Sequence, residues 1–157
     1  MTQDPTDTLE YAGFWIRVGA SLIDTVVVVC VTLPLLVALY GWAYFETGGV
    51  AGTADVLISY VFPAVAVVAF WLLKQATPGK MAVQVRVVDA KTGGTLSVGQ
   101  CIVRYLGYFV ATLPLGLGLF WVGFDPKKQG WHDKMAGTVV VRSKTRGPVP
   151  VTFEKQP

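Results

Sequence analysis

The sequence predicts an all-α membrane protein with two full transmembrane helices, a third apolar region broken into a helical hairpin at Pro114 to Gly118, and a short cytoplasmic β element. Three observations carry that prediction. The 157 residues are 53% hydrophobic and only 15% charged, with a mean hydropathy of +0.53, a balance unlike that of soluble domains. Long apolar runs are flanked by tryptophan and tyrosine, as residues at a membrane interface are. Lysine and arginine are spread unevenly over the connecting segments, which gives the runs a direction.

Residues 1–13 form an N-terminal segment expected in the cytoplasm. It carries Asp4, Asp7 and Glu10 but no lysine or arginine, and the apolar run behind it is too long for a cleaved secretory signal. The first span, at about residues 14–43, has Tyr11 and Trp15 near one end and Tyr40, Trp42 and Tyr44 near the other. It exceeds the roughly 20 residues that a crossing needs. Pro34 is placed to kink it, because proline removes a backbone donor and crowds the preceding turn. "ETGGVAGTAD" (Glu46 to Asp55) then turns the chain. The second span, at about 56–73, runs eighteen residues from Val56 to Leu73 without a charge. Pro63 lies within it, and Trp71 and Lys74 mark its exit.

Residues 74–97 are polar enough to form a cytoplasmic loop. "QATPGK" (Gln75 to Lys80) lacks the flanking glycines of a phosphate-binding loop and is read as a turn. "VQVRVVD" (Val83 to Asp89) alternates as a strand does. The later run "TVVVR" (Thr138 to Arg142) is its candidate partner, since an unpaired edge would otherwise be exposed.

The third apolar region, at about 98–124, is decided by charge. Lys74, Lys80, Arg86 and Lys91 precede it, seven basic residues follow from Asp125 onward, and the Gly41 to Asp55 loop has none. A single crossing would leave one basic segment outside, against the positive-inside tendency. A hairpin avoids this: a helix from Val98 to Leu113, a turn at "PLGLG", and a return through Leu119 to Phe124. The broken backbone at that depth needs cover from protein or water. The N-terminus, middle loop and C-terminus then all face the cytoplasm from a multi-pass position in the cell (inner) membrane. The membrane domain covers 14–142, and residues 143–157 read as a flexible tail.

Cys30 and Cys101 sit in apolar segments, where a lone thiol acts as a small hydrophobe. His132 is the only histidine, so a histidine-rich metal site lacks ligands. No metal, cofactor or nucleic-acid partner is implied, and no nucleophile is placed for an enzyme.

Three ionisable residues lie within apolar segments: Arg17, Asp24 and Arg104. Arg17 and Asp24 share one face of their helix, about 10.5 Å apart along the axis, too far for a good ion pair. Arg17 has the option of snorkelling to the headgroups. Asp24 is deeper and short, and ionised toward lipid it would cost about 2.5–3.5 kcal/mol on insertion scales. Arg104 is its expected partner. Such a pair either fixes helix packing or marks a proton or cation site. Gly13, Ala20 and Ser21 on or near this face permit close helix approach. "GWHDKMAGT" (Gly130 to Thr138) sets His132 beside Asp133 just beyond the membrane, as an interfacial structural pair or a cytoplasmic mouth for protons.

Together "YAGFWIRVGASLID", "TPGKMAVQVRVVD" and "GFDPKKQGWHDKMAGTVVV" resemble the RDD family of small prokaryotic membrane proteins, over about residues 11–142. The family is named for an arginine and two aspartates. By that resemblance Arg17 and Asp24 match the arginine and first aspartate, while Asp125 and Asp133 both remain candidates for the second, Asp133 having the fuller motif. Gln84 stands where the family often has glycine, and Trp131 where it often has leucine. The family's role is largely undefined, but transport has been proposed and sodium/proton exchange associated with some members. The resemblance thus implies proton/monovalent-cation exchange or other small-solute transport.

Two functions of different class are therefore expected. In the first, Arg17, Asp24 and Arg104 form an intramembrane ion or proton site, with Asp125, His132 and Asp133 at the cytoplasmic mouth. A homo-oligomer or a larger membrane partner is expected, because so few helices rarely enclose a pathway. In the second, the protein is a non-transport accessory or assembly factor of the membrane, its basic surface meeting anionic lipid or protein.

Overall fold

A computed structural model of the chain describes residues 9–46 and 48–143. The N-terminal segment before residue 9 and the tail from residue 144, expected to be flexible, lie outside the described residues. The first span is one helix, α1 (Phe14–Tyr40), with Pro34 inside it, and it ends at Gly41, whose φ of 69° stops the helix. Thr25 and Thr32 donate their hydroxyls to the carbonyls of Ser21 and Val28, each at 2.9 Å. That satisfies them without water.

The second span, Thr53–Lys74, consists of α2 (Thr53–Val56), a π-helical turn (Leu57–Val61) and α3 (Phe62–Lys74). Pro63 explains the wide turn: it lacks an N–H and its ring crowds the residues before it.

The third region is broken as the prolines and glycines predict. It opens on α5 (Val98–Thr112), whose Ser97 and Gln100 form a reciprocal capping box. After Pro114 to Gly116 come α6 (Leu117–Phe120) and a 3₁₀ turn (Trp121–Gly123), bent from α5 by 113°. The return starts at Leu117 rather than Leu119.

Two features go beyond the expected short β element and turn. "TVVVR" does pair with the strand around Arg86, but the sheet has three strands. β1 (Leu9–Tyr11), β3 (Thr138–Ser143) and β2 (Val85–Asp89) lie antiparallel in that spatial order, with Val87 opposite Val140 and Tyr11 opposite Val141. β2 begins at Val85 because Gln84 has a φ of 55°, which interrupts an extended run and which glycine adopts without penalty. "QATPGK" is also more than a turn. Thr77 precedes α4 (Pro78–Ala82), with Pro78 at the first helical position, where its missing donor costs nothing.

Ala12, Trp71, Val85, Val87, Leu96, Cys101 and Val140 form one buried cluster. It joins the sheet to the Phe14 end of α1, the Lys74 end of α3 and the Val98 end of α5. Two short helices, α4 and α7 (Trp131–Ala136), lie against these long ones through glycines. A Cβ on Gly79 would stand 2.0 Å from the Ala20 carbonyl oxygen, and one on Gly107 would stand 2.9 Å from the His132 Cα. Those contacts bring α4 onto α1 and α7 onto α5, which carries Asp24 and Arg104 to their partners.

Candidate functional site

Asp133, in the first turn of α7, is fully buried and receives both intramembrane arginines. Arg104 Nη1 donates to its Oδ1. Arg17 Nη1 donates to Oδ2 at 2.5 Å, and the Gly130 N–H adds a bond at 3.1 Å. Arg17 spends its remaining donors on the Ala12 carbonyl, at 3.0 Å, and the Lys128 carbonyl, at 2.5 Å. Arg104 Nη1 also reaches Thr138 Oγ1 at 2.6 Å. Its guanidinium lies 5.1 Å from the Trp71 ring centre, a cation–π geometry that helps to hold a buried charge.

This arrangement corrects two expectations. Arg17 does not turn outward to the headgroups; its side chain is 12% exposed and faces Asp133. Arg104 does not pair with Asp24. The glycine contact at Gly107 places α7, and with it Asp133, alongside α5, so the nearer carboxylate takes the arginine.

His132 does not titrate near neutrality. Burial, reinforced by Arg104, Arg17 and Lys80, pushes its pKa down to about 3 against the opposing pull of Asp133. The ring stacks on Tyr108 at 3.9 Å, with Nε2 3.5 Å from Asp133 Oδ1. Burial works to raise the Asp133 carboxyl, but Arg104 and the other neighbouring charges outweigh it and hold the group well below the usual carboxylate range.

Asp125 stands apart. It binds Lys134 Nζ at 2.5 Å and the N–H groups of Lys127 and Gln129, each at 3.1 Å, and so shapes the loop before α7. Burial tends to raise its pKa, but Lys134 and those amides hold it below the ordinary value. Of the two candidate second aspartates, Asp133 is the one that Arg17 grips.

Asp24 belongs to a different group. Its Oδ2 accepts the Thr77 hydroxyl at 2.5 Å and its Oδ1 accepts the Gly79 N–H at 2.7 Å. Gly79 N–H is one of the donors left free at the start of α4. Beside them lies Lys80, only 6% exposed. Its Nζ makes one long contact, 3.5 Å to Thr77 Oγ1. Sequence reasoning counted Lys80 merely as a loop charge; nothing in "TPGK" separates a buried lysine from a solvated one.

Two cavities adjoin this group and share part of their lining. One of about 510 Å³ lies among α1, α3, α4 and α5, with Asp24, Thr77 and Lys80 among its lining residues and valines and phenylalanines beyond. A second, of about 330 Å³, reaches Arg17 and His132. Ser21, Lys80 and Tyr108 line both. The cavities therefore adjoin the charged groups that the arginine–aspartate cluster leaves unmatched.

Residues 11–137 match the RDD family. The chain belongs to the RDD family. This RDD protein is 31% identical over 150 residues to the uncharacterized protein YxaI of Bacillus subtilis (strain 168), covering 83% of this chain and 96% of that one. It is 29% identical over 142 residues to the uncharacterized membrane protein YteJ of the same organism, covering 87% and 84%. A shorter match, 41% over 76 residues, is to the uncharacterized protein RP437 of Rickettsia prowazekii (strain Madrid E), covering 48% of this chain and 42% of that one. The chain thus spans less than half of the Rickettsia relative. No solved structure matches it. With two apolar helices long enough to cross a bilayer, and a third if the bent pair is counted as one, it is a membrane protein of this family.

The buried histidine sets a pH dependence. The folded protein keeps His132 neutral down to about pH 3, whereas the unfolded chain takes up that proton near 6.5. The unfolded state therefore binds more protons in this window, and stability falls as pH drops from about 6.5 toward 3. The thermal stability of the purified protein is expected to fall from about pH 7 to pH 5, and His132→Gln to flatten that slope. Equal slopes for both proteins would contradict the neutral assignment.

Proposed function

We propose that this RDD protein moves a small solute across the cell membrane in exchange with protons, and that the proton is handled by Lys80, Thr77 and Asp24. One observation carries the reading: a hydroxyl bridges a buried amine and a half-buried carboxylate. Thr77 Oγ1 accepts from Lys80 Nζ and donates to Asp24 Oδ2. A proton leaving the ammonium for Thr77, while Thr77 gives its own to Asp24, converts an ion pair into a neutral amine and a carboxylic acid. No atom beyond the three side chains is needed. A dry cavity favours the neutral pair and a wet one the charged pair, because low dielectric penalises charge. Filling and emptying the adjoining cavity is in this way coupled to the position of a proton.

Proton/monovalent-cation exchange is one form of this activity. Lys80 beside Asp24 opposes a bound cation there as long as the amine is protonated, which makes the proton itself the better candidate for the species Asp24 carries. Two spans and a bent third do not enclose a pathway, so the working unit is a homo-oligomer or a complex with a larger membrane partner. Broad apolar faces with exposed Leu22, Val26 and Leu35 are available for lipid or for such contacts.

Orientation follows from charge. The sheet gathers the basic middle loop and the segment after Asp125 at one end of the fold, and the positive-inside tendency assigns that end to the cytoplasm. With Cys30→Ser and Cys101→Ala as background, Ser143→Cys is expected to resist a membrane-impermeant thiol reagent in intact spheroplasts and to react once they are opened. Labelling of intact spheroplasts would reverse the orientation.

Proton movement is tested in proteoliposomes loaded with a pH-sensitive dye and challenged in turn with gradients of sodium, potassium and octyl sulfate. At least one gradient is expected to drive protein-dependent proton movement. Thr77→Val and Asp24→Asn are each expected to slow it about tenfold or more, equivalent to about 1.4 kcal/mol on the barrier. No protein-dependent movement, or rates in both variants equal to that of the unmodified protein, would leave the accessory or assembly role.

A further inference from the structure

We propose that the larger cavity binds a membrane-borne amphiphile with one apolar chain and an anionic head, and that the head is held at Lys80. The inference deepens the transport reading by naming the solute class; it rests on that reading for movement but not for binding.

Charge comes first. Around the junction of the two cavities, the cations Arg17, Arg104 and Lys80 face the carboxylates Asp24 and Asp133. His132 adds no charge, being buried and neutral. Both carboxylates are already engaged, Asp133 by two arginines and Asp24 by Thr77 and Gly79. Among the described residues, Lys80 Nζ has only its 3.5 Å contact to a hydroxyl. A lysine only 6% exposed whose ammonium is so poorly matched is costly, and an anion is the group that relieves it. This surplus also opposes a cationic ligand, and a neutral lipid would leave it unrelieved.

Position and shape supply the rest. Lys80, Tyr108 and Ser21 line both cavities, so residues bearing an ammonium and two hydroxyls stand on the wall that the cavities share, a setting suited to sulfate-, phosphate- or carboxylate-like oxygens. The larger cavity then continues between apolar walls, with Val27, Val31, Phe62 and Phe109 along it. Its volume of about 510 Å³ lies in the usual range of small-molecule sites. At about 30 Å³ per water-sized group, it has room for one alkyl chain with its head, not two. A free inorganic anion would use the head position alone and leave the apolar length empty. The surrounding helices are themselves membrane-spanning, so the bilayer is the source from which such a ligand is drawn.

The full chain in nanodiscs of zwitterionic lipid is titrated with decyl sulfate, decyltrimethylammonium and inorganic sulfate, with thermal unfolding as the readout. Decyl sulfate is expected to stabilise the protein saturably and to bind at least about tenfold more tightly than decyltrimethylammonium, about 1.4 kcal/mol. Inorganic sulfate is expected to have little effect. Lys80→Met should weaken decyl sulfate at least about tenfold while Lys80→Arg retains it. Ala66→Phe, which fills the cavity without altering charge, should abolish binding and keeps the test open if Lys80→Met does not fold. Equal binding of the cationic amphiphile, unchanged affinity in both Lys80→Met and Ala66→Phe, or equal stabilisation by inorganic sulfate would overturn the proposal. Decyl sulfate binding without proton movement would sink the transport reading alone; proton movement without that binding would sink only this inference.

Discussion

The carboxylate of Asp133 takes up the two arginines that the chain places inside apolar helices, and most of the architecture follows from that one set of bonds. Arg17 comes from α1, Arg104 from α5 and Asp133 from α7, while Thr138 at the start of β3 and the Lys128 carbonyl add further bonds. Each charge alone would be costly away from water. Joined, they draw α7 into the space between α1 and α5 and tie the helices to the sheet. Close backbone approach makes the geometry possible: Gly107 admits α7 against α5, and Gly79 admits α4 against α1.

This closure determines what is left over. Once both arginines are committed to Asp133, Asp24 has no guanidinium to meet, and the chain answers it with α4, through Thr77 and the Gly79 amide. That brings Lys80 into the interior beside two cavities. The groups read here as functional are therefore those the structural cluster does not satisfy. The same physics, buried charge seeking a partner, yields a rigid joint at Asp133 and an adjustable pair at Asp24 and Lys80.

The spans were legible because long, nearly uncharged runs admit few other solutions, and the hairpin break because Pro114 and the glycines beside it interrupt a run whose flanks are both basic. Pairing of β2 with β3 showed in the valine alternation; β1, three residues long, carried no such signal. The partner of Asp24 was not legible. Thr77 and Gly79 lie more than fifty residues away, and depth in the membrane suggested Arg104 instead. Asp133 looked peripheral because it follows the last apolar run, and only the packing of α7 along α5 shows that it is interior. His132 was misjudged for the same reason. The departure at Gln84 acquires a physical sense, since a left-handed backbone at that position suits the glycine common in the family.

The most direct measurement is equilibrium unfolding of Asp133→Asn beside Asp125→Asn, in one detergent and at neutral pH. Removing one partner of a buried ion pair typically costs about 3–5 kcal/mol, whereas partly exposed pairs contribute about 0–1 kcal/mol. A large loss for Asp133→Asn and a small one for Asp125→Asn is the predicted result. Asp133→Asn unfolding as the unmodified protein does would mean that the arginine–aspartate cluster does not hold this fold together.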